Sequence, residues 1–222
     1  MTMTNSRPAG TVADAKSPPG VFVHPRGLCE SDTVGPGTRI WAFAHVMPGA
    51  VVGAGCNICD HAFIESGARL GDRVTVKNIT LVCDWVTIED DVFLGPNVLF
   101  TNDFRPRAEV RKDRGELTPT VVRRGATLAA GVIVVTGTEI GEYAFVGAGA
   151  VITRDVPAHA LVLGSPARPV GWACRCGERL TDKLICPACG AAYKPATPGT
   201  GLRAAGAGEP PGRLPGPAAP RV

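Results

Sequence analysis

The chain predicts an all-β fold: a parallel β-helix, built as a hexapeptide-repeat solenoid, with a small cysteine-rich module near its C-terminal end. Three observations predict it. An apolar residue returns at every sixth position from Phe22 to Phe100, through Leu28, Val34, Ile40, Val46, Val52, Ile58, Ile64, Leu70, Val76, Val82, Ile88 and Leu94. The beat resumes in a new phase at Val122 and runs through Leu128, Val134, Ile140 and Val146 to Ile152. Glycine often follows the beat (Gly35, Gly53, Gly71, Gly95, Gly141), and a small or β-branched residue stands two before it (Ala44, Ala62, Thr80, Val92, Ala126, Ala150). Six is the period of neither a helix nor a simple hairpin meander. Each hexapeptide therefore reads as one short flat face, three of which close a coil of eighteen residues.

Composition agrees with a narrow solenoid. The 222 residues suffice for one sizeable domain and an appendage, and an aromatic content of 5% suits an interior stacked with Val, Ile and Leu. A net charge of +3, with both signs interspersed, gives no footprint for a nucleic-acid partner. No apolar run approaches the ~18 residues of a membrane span, and the first residues lack the apolar centre of a signal peptide. A cytoplasmic protein without a membrane partner is expected. Four of the eight cysteines cluster, which favours a reducing compartment over a disulfide scaffold.

In chain order, residues 1–19 are rich in Pro, Gly and Ser and are expected to be disordered. The β-helix covers 20–153. Its one interruption, the loop 101–121, carries Arg105, Arg107, Arg111, Lys112 and Arg114 against Asp103, Glu109, Asp113 and Glu116. A polar insertion in a strict repeat must leave the coil and project, and such excursions usually serve function or a partner. An exit segment, 154–170, holds the tight loop Gly164-Ser165-Pro166-Ala167-Arg168. The cysteine module spans 171–194, and 195–222 reads as a flexible Pro/Gly/Ala tail.

The module pairs Cys174-x-Cys176 with Cys186-x-x-Cys189, and each knuckle ends in glycine, Gly177 and Gly190. Four thiolates so spaced suit a tetrahedral structural Zn²⁺ in a zinc-ribbon-like unit; two disulfides or four free thiols are the alternatives. Cys29, Cys56, Cys59 and Cys83 lie within the repeat and read as small buried residues.

The repeat, the Gly164–Arg168 loop and the projecting insertion resemble the left-handed β-helix acyltransferases. Within them, the chain is most similar to N-acetyltransferases of nucleotide-linked 3-amino sugars. The similar stretches are Val21 to Pro25, Arg39 to Val46, Val86 to Pro96, and Phe100 to Asp103 followed by Pro106-Arg107. The ending Gly171-Trp172 with its cysteine pairs resembles enzymes that acetylate a UDP-linked 3-amino-2-acetamido uronic acid. That resemblance implies a left-handed solenoid, a homotrimer with clefts between subunits, and acetyl-CoA as co-substrate. It also implies N-acetylation of a UDP-linked 3-amino uronic acid for cell-surface polysaccharide biosynthesis. The alternatives are a dTDP-linked 3-amino-3,6-dideoxyhexose as substrate, or a non-catalytic trimeric scaffold. Two positions depart from the family's pattern: Ala42 stands where a His is usual, and His61 where an Asn is usual.

Acetyl transfer to an amine needs a neutral nucleophile, an exit for its proton and donors for the developing oxyanion. Side chains eighteen residues apart stack on successive coils, which pairs Asp60 with Asn78 and Asp84 with Asn102, all two places after the beat. These residues, with Asp103 at the root of the insertion, are expected to form one polar wall. Asn78 is assigned to orient the sugar or acetyl carbonyl, with His45 and Asp103 beside it in the chemistry. Asp84, Asn102 and Arg107 are assigned to the substrate. The other reading of Asn78 and Asn102 is as turn formers, and of His45 as a structural histidine. Gly147, Ala148 and Gly149, with Arg154 and Arg168, are the expected contacts for CoA. His159 is expected at the surface.

Overall fold

The computed structural model describes residues 18–206 apart from 111, 113, 114, 116 and 198. The expected disorder at 1–17 and 207–222 therefore lies outside the described residues. Between them the chain winds as an all-β parallel solenoid whose short strands recur on three faces. Strands on the first face include Arg39–Ile40, Asn57–Ile58, Thr75–Val76, Phe93–Leu94, Thr127–Leu128 and Phe145–Val146. On the second face lie His45–Val46, Phe63–Ile64, Leu81–Val82, Leu99–Phe100, Ile133–Val134 and Val151–Ile152, and on the third Val51–Val52, Arg69–Leu70, Val86–Ile88, Thr120–Val122 and Glu139–Ile140. The pairing is parallel with partners eighteen residues apart, as in Ile40 with Ile58 and Ile58 with Val76.

The beat works because the second residue of each strand points inward while the first points out. Ile40, Ile58, Val76, Leu94, Leu128 and Val146 form one fully buried column of the first face. Small residues two before the beat sit at the inner corners, where little volume remains. Thr38 and Thr80 take such positions, and their hydroxyls donate to the Gly53 and Gly95 carbonyls at 2.8 Å, so the buried oxygens are paired. Gly53 follows the beat because a Cβ there would collide with Gly71 of the next coil.

The first coil departs from the count. Phe22 pairs with Arg39 and Leu28 with His45, a spacing of seventeen, so Val23 and Cys29 take the inward positions and Phe22 is exposed. Reading by sixes selects Phe22 and Leu28 because each has an apolar neighbour that the fold turns inward instead. At the insertion, Ile88 pairs with Val122, so the coil reopens in register around an excursion from the corner after Phe100.

The expectation of a flexible tail from 195 is corrected for its first part. Tyr193–Pro195 pairs antiparallel with Leu202–Ala204, and Gly201 forms a parallel bridge with Ala158 of the last coil. Leu202 and Tyr193 are buried with Cys174, Leu180 and Cys186 in a second small core. The composition of 195–206 is that of a loose tail, but Leu202 anchors it in this core.

Candidate functional site

The count of six decides which polar residues meet. Each hexapeptide advances the chain by one face, so residues eighteen apart, or thirty-four apart across the insertion, share a corner. The corner between the first and second faces stacks Ala42, Asp60, Asn78, Pro96, Ala130 and Ala148. The corner between the second and third faces holds Asp84 and Asn102 and opens into the insertion. The residues of the single polar wall expected from the sequence are thus divided between two corners, separated within one chain by the second face.

At the first corner, Arg39, Trp41, Asn57, Cys59, Asp60 and Asn78 line a cavity of about 360 Å³. The Trp41 indole N–H donates to Asn57 Oδ1 at 2.8 Å, and Asn57 Nδ2 donates to Cys59 Sγ at 3.2 Å. Phe22 meets Trp41 edge-on at 5.5 Å. The Asn78 main-chain carbonyl accepts the Asn97 N–H at 3.0 Å, and the half-buried residue lines the cavity. Next along the chain, Phe43, His61, Ile79 and Asn97 all adopt positive φ, from 58° to 64°. A β-branched Ile79 at φ 64° with 60% of its surface exposed is costly locally and gains little from burial. Phe43 and His61 stack at 4.9 Å along this corner.

Three coils further along the same corner stand Gly147, Ala148 and Gly149. Strand spacing places Ala148 about 14 Å from Asn78 along this edge. Ala148 and Gly149 face solvent. Gly147 does not: the Leu163 side chain lies over it, and that packing accounts for its glycine. Arg154 and Arg168 are exposed, and Arg168 Nη1 donates to the Ala167 carbonyl at 2.9 Å.

The second corner is more occupied. Asp84 is buried, its carboxylate lying over Gly67 and accepting the Trp85 N–H at 2.9 Å. It lines a cavity of about 400 Å³ with Gly67, Arg69, Trp85, Thr87 and Pro119. Within the insertion, Asp103 is ion-paired to Lys112 and accepts the Arg105 N–H at 2.8 Å. Hydrogen bonds from Lys112 and the Arg105 backbone hold its carboxyl below the usual range. Asp103 thus organises the loop rather than standing free for chemistry. Asn102 is half-buried at the root, and Arg107 is exposed with Nη1 on the Pro106 carbonyl.

His45 lies on the outer side of the second face, next to the first corner. Its Nε2 is 2.7 Å from Glu30 Oε2, and its ring meets Phe63 edge-on at 5.2 Å. His159, expected at the surface, is instead buried. Its Nδ1 is 2.9 Å from the Ala173 carbonyl, it lies between the rings of Tyr143 and Tyr193, and burial pulls its pKa down. Burial likewise raises Cys29, Cys56 and Cys59, and pushes Cys83 up to about 12, so these thiols are poor nucleophiles.

Cys174, Cys176, Cys186 and Cys189 bring their sulfurs within 4.8 Å of one another, with Cys174–Cys189 and Cys176–Cys186 at 3.5 Å. A tetrahedron with metal–sulfur bonds of ~2.3 Å sets its sulfurs about 3.8 Å apart, so the cluster fits such an ion. The Tyr193 hydroxyl accepts the Arg175 N–H at 3.0 Å and therefore donates to Cys174 Sγ at 3.1 Å. Four thiolates fill the coordination shell, so a metal here would brace the module and leave no position for a substrate.

Sequence reasoning missed Trp41, Asn57 and Ile79 as parts of one edge. The legible signal was the third position after the beat. It is glycine at Gly49, Gly55, Gly67, Gly131 and Gly149, and bulky at Phe43, His61 and Ile79.

Comparison with known proteins follows the same outline. The family "Bacterial transferase hexapeptide (six repeats)" matches residues 33–66 and 119–154. The dTDP-3-amino-3,6-dideoxy-alpha-D-galactopyranose 3-N-acetyltransferase of Aneurinibacillus thermoaerophilus is 48% identical over 176 residues, covering 78% of this chain and 90% of that relative. Among solved structures, the acetyltransferase domain of PglB from Neisseria gonorrhoeae in complex with acetyl coenzyme A superposes with a TM-score of 0.50 at 22% identity. It spans 68% of this chain and 58% of that one, and supports the fold.

Proposed function

Because the chain belongs to the hexapeptide-repeat acyltransferases, among the N-acetyltransferases of nucleotide-linked 3-amino sugars, we propose that it transfers acetyl from acetyl-CoA to the 3-amino group of a dTDP-linked 3-amino-3,6-dideoxyhexose. The observation that carries this reading is the 48% identity across 90% of a relative named for that substrate class. It favours the dTDP-linked sugar over the UDP-linked uronic acid that the cysteine-bearing ending suggested.

The first corner supplies a suitable frame. Acetyl-CoA lies along the exposed edge at Ala148 and Gly149, with Arg154 and Arg168 available to its phosphates. The thioester reaches the cavity at Asn78, a separation of about 14 Å that suits an extended pantetheine arm. Asn78 donates to the thioester carbonyl as charge develops there. The neutral sugar amine attacks that carbon, the C–S bond breaks, and the amide forms. CoA leaves as thiolate and takes up a proton equivalent to the one the amine loses. His45, oriented by Glu30, is the side chain placed to carry that proton.

A single chain offers only half of this site. The outward column of the second face is Leu28, His45, Phe63, Leu81, Leu99, Ile133 and Val151, apolar apart from His45. Packing this column against a copy in a homotrimer buries it and sets the first corner of one subunit opposite the insertion of its neighbour. Asn102 and Arg107, and Asp84 through its cavity, then reach the substrate from across the interface.

The test is thiol release from acetyl-CoA across dTDP- and UDP-linked 3-amino sugars. Release with the dTDP-linked 3-amino-3,6-dideoxyhexoses in preference to the UDP-linked uronic acid is expected. Preference for the uronic acid would overturn the substrate, and release with none of them would overturn the activity.

A further inference from the structure

We propose that the four-cysteine module is a metal-dependent clamp that closes the C-terminal end of the solenoid. In this reading the bound metal, best matched by zinc, holds the strap at 199–204 against the last coil.

A β-solenoid ends in an open edge of strand groups and a cut hydrophobic core, and both must be covered. Here three pieces cover the three faces. Ala160–Leu163 turns back through Arg168–Trp172 to finish the first face, in an antiparallel pair. The loop between them finishes the second face: Val151 N–H donates to the Gly164 carbonyl at 3.0 Å, and Ala167 N–H donates to the Val151 carbonyl at 2.8 Å. The third face is finished by the strap alone. Ala158 N–H donates to the Thr200 carbonyl at 3.0 Å, and Leu202 N–H donates to the Ala158 carbonyl at 3.1 Å.

The strap is tied to the module by its antiparallel pairing with Tyr193–Pro195. Its anchor is Leu202, whose side chain lies in the module's core beside Cys174, Cys186 and Tyr193. That core is too small to be stable unaided, and metal would supply most of its folding energy. Separate contacts join the module to the coil. Ala173 N–H donates to the His159 carbonyl at 2.7 Å, and the Arg175 guanidinium lies 4.8 Å over the Tyr143 ring. Tyr193 joins the three parts, with its hydroxyl on Cys174 Sγ, its side chain in the core that holds Leu202, and its ring 4.7 Å from that of His159 on the last coil. Metal occupancy and strap docking must then be coupled, and coupling is reciprocal.

Reciprocity gives a test in both directions on the full-length protein. Hydrogen exchange of the zinc-loaded protein is compared with that of the same protein after chelation. Loss of protection at 199–204 and 156–162, with the coils from Arg39 to Leu128 unchanged, is expected. Unchanged protection of the strap after confirmed metal loss would overturn the clamp. Conversely, Gly201→Val leaves all four cysteines in place but cannot dock, because a Cβ at Gly201, at φ 102°, would fall on the Ala158 carbonyl. Zinc transfer from this variant to a chromophoric chelator is expected to be about tenfold faster than from wild type, within the usual range of such couplings. Equal rates would overturn the proposal, as would the absence of bound zinc in protein purified with the metal present. Neither readout depends on acetyl transfer, so its failure is distinguishable from failure of the proposed activity.

Discussion

The two corners that flank the second face are built by the same turn, yet they spend it differently. From Ile40 onward the first places four bulky residues in succession in the left-handed conformation, Phe43, His61, Ile79 and Asn97 at φ 58° to 64°, before Gly131 and Gly149 take the position. The second uses Gly49 and Gly67 at that position, buries Asp84 beside a single bulky left-handed residue, Trp85 at φ 65°, and then breaks the count with the insertion. Strain on one corner and interruption on the other are the two ways a strict repeat can carry something besides itself. Left-handed non-glycine residues cost roughly 1–2 kcal/mol each, which a purely structural corner would shed by adopting glycine. The unbroken run of four such residues sets the first corner apart as an edge that displays side chains, whereas at the second the backbone leaves the coil.

The comparison breaks most completely if the corners are kept from meeting across subunits. Leu99→Asp puts a charge in the outward column of the second face, on the opposite side of the strand from its buried neighbour Phe100. We expect a folded monomer by sedimentation and a loss of turnover larger than that from any single substitution at either corner. A monomer with wild-type turnover would show that one chain holds a complete site.

Asn78→Ala separates the roles of the corners next. Loss of a single donor to a developing oxyanion costs about a hundredfold in kcat, and the oligomer should be unaffected. Asn102→Ala at the second corner should act chiefly on KM for the sugar, with a smaller effect on kcat. Equal effects on kcat from both variants would mean that the corners are not divided in this way.

Much of this was legible in advance, and what was not has physical causes. The beat from Ile40 to Phe100 specifies inward residues, and spacing by eighteen places Asp60 and Asn78 at one corner of successive coils, whereas the ladder beyond Leu81–Leu99 stops before Asp84 and Asn102. What spacing by six hides is rotation: Asn78 and Asp84 are close in sequence and a whole face apart in space. Phe22 and Leu28 misled because adjacent apolar residues, Val23 and Cys29, satisfy the pattern equally well one residue later. The strap was invisible because Pro, Gly and Thr dominate 195–201, and its anchor depends on a core that only the cysteine cluster assembles. His159 and Tyr193 are ordinary residues in the sequence; their contact across the last coil is tertiary.

The smallest effect tests the structural half of the contrast. Gly49 and Gly67 occupy equivalent positions on successive coils of the second corner, at φ 81° and 89°. An added Cβ at Gly49 meets nothing within 4 Å, whereas at Gly67 it would fall on the Asp84 carboxylate. Gly49→Ala should therefore cost only the left-handed backbone, about 1 kcal/mol, or ~2–4 °C in Tm for a domain of this size. Gly67→Ala bears that cost and must also displace a buried carboxylate from the Trp85 N–H, so its Tm should fall roughly twice as far or more. Thermal melts of both variants beside Gly67→Ala/Asp84→Ala check this directly. If Asp84 is the obstacle, the double variant should recover part of the loss, since truncating Asp84 clears the space above Gly67. Identical melts for the two single variants would remove Asp84 from the account of why this corner stays glycine.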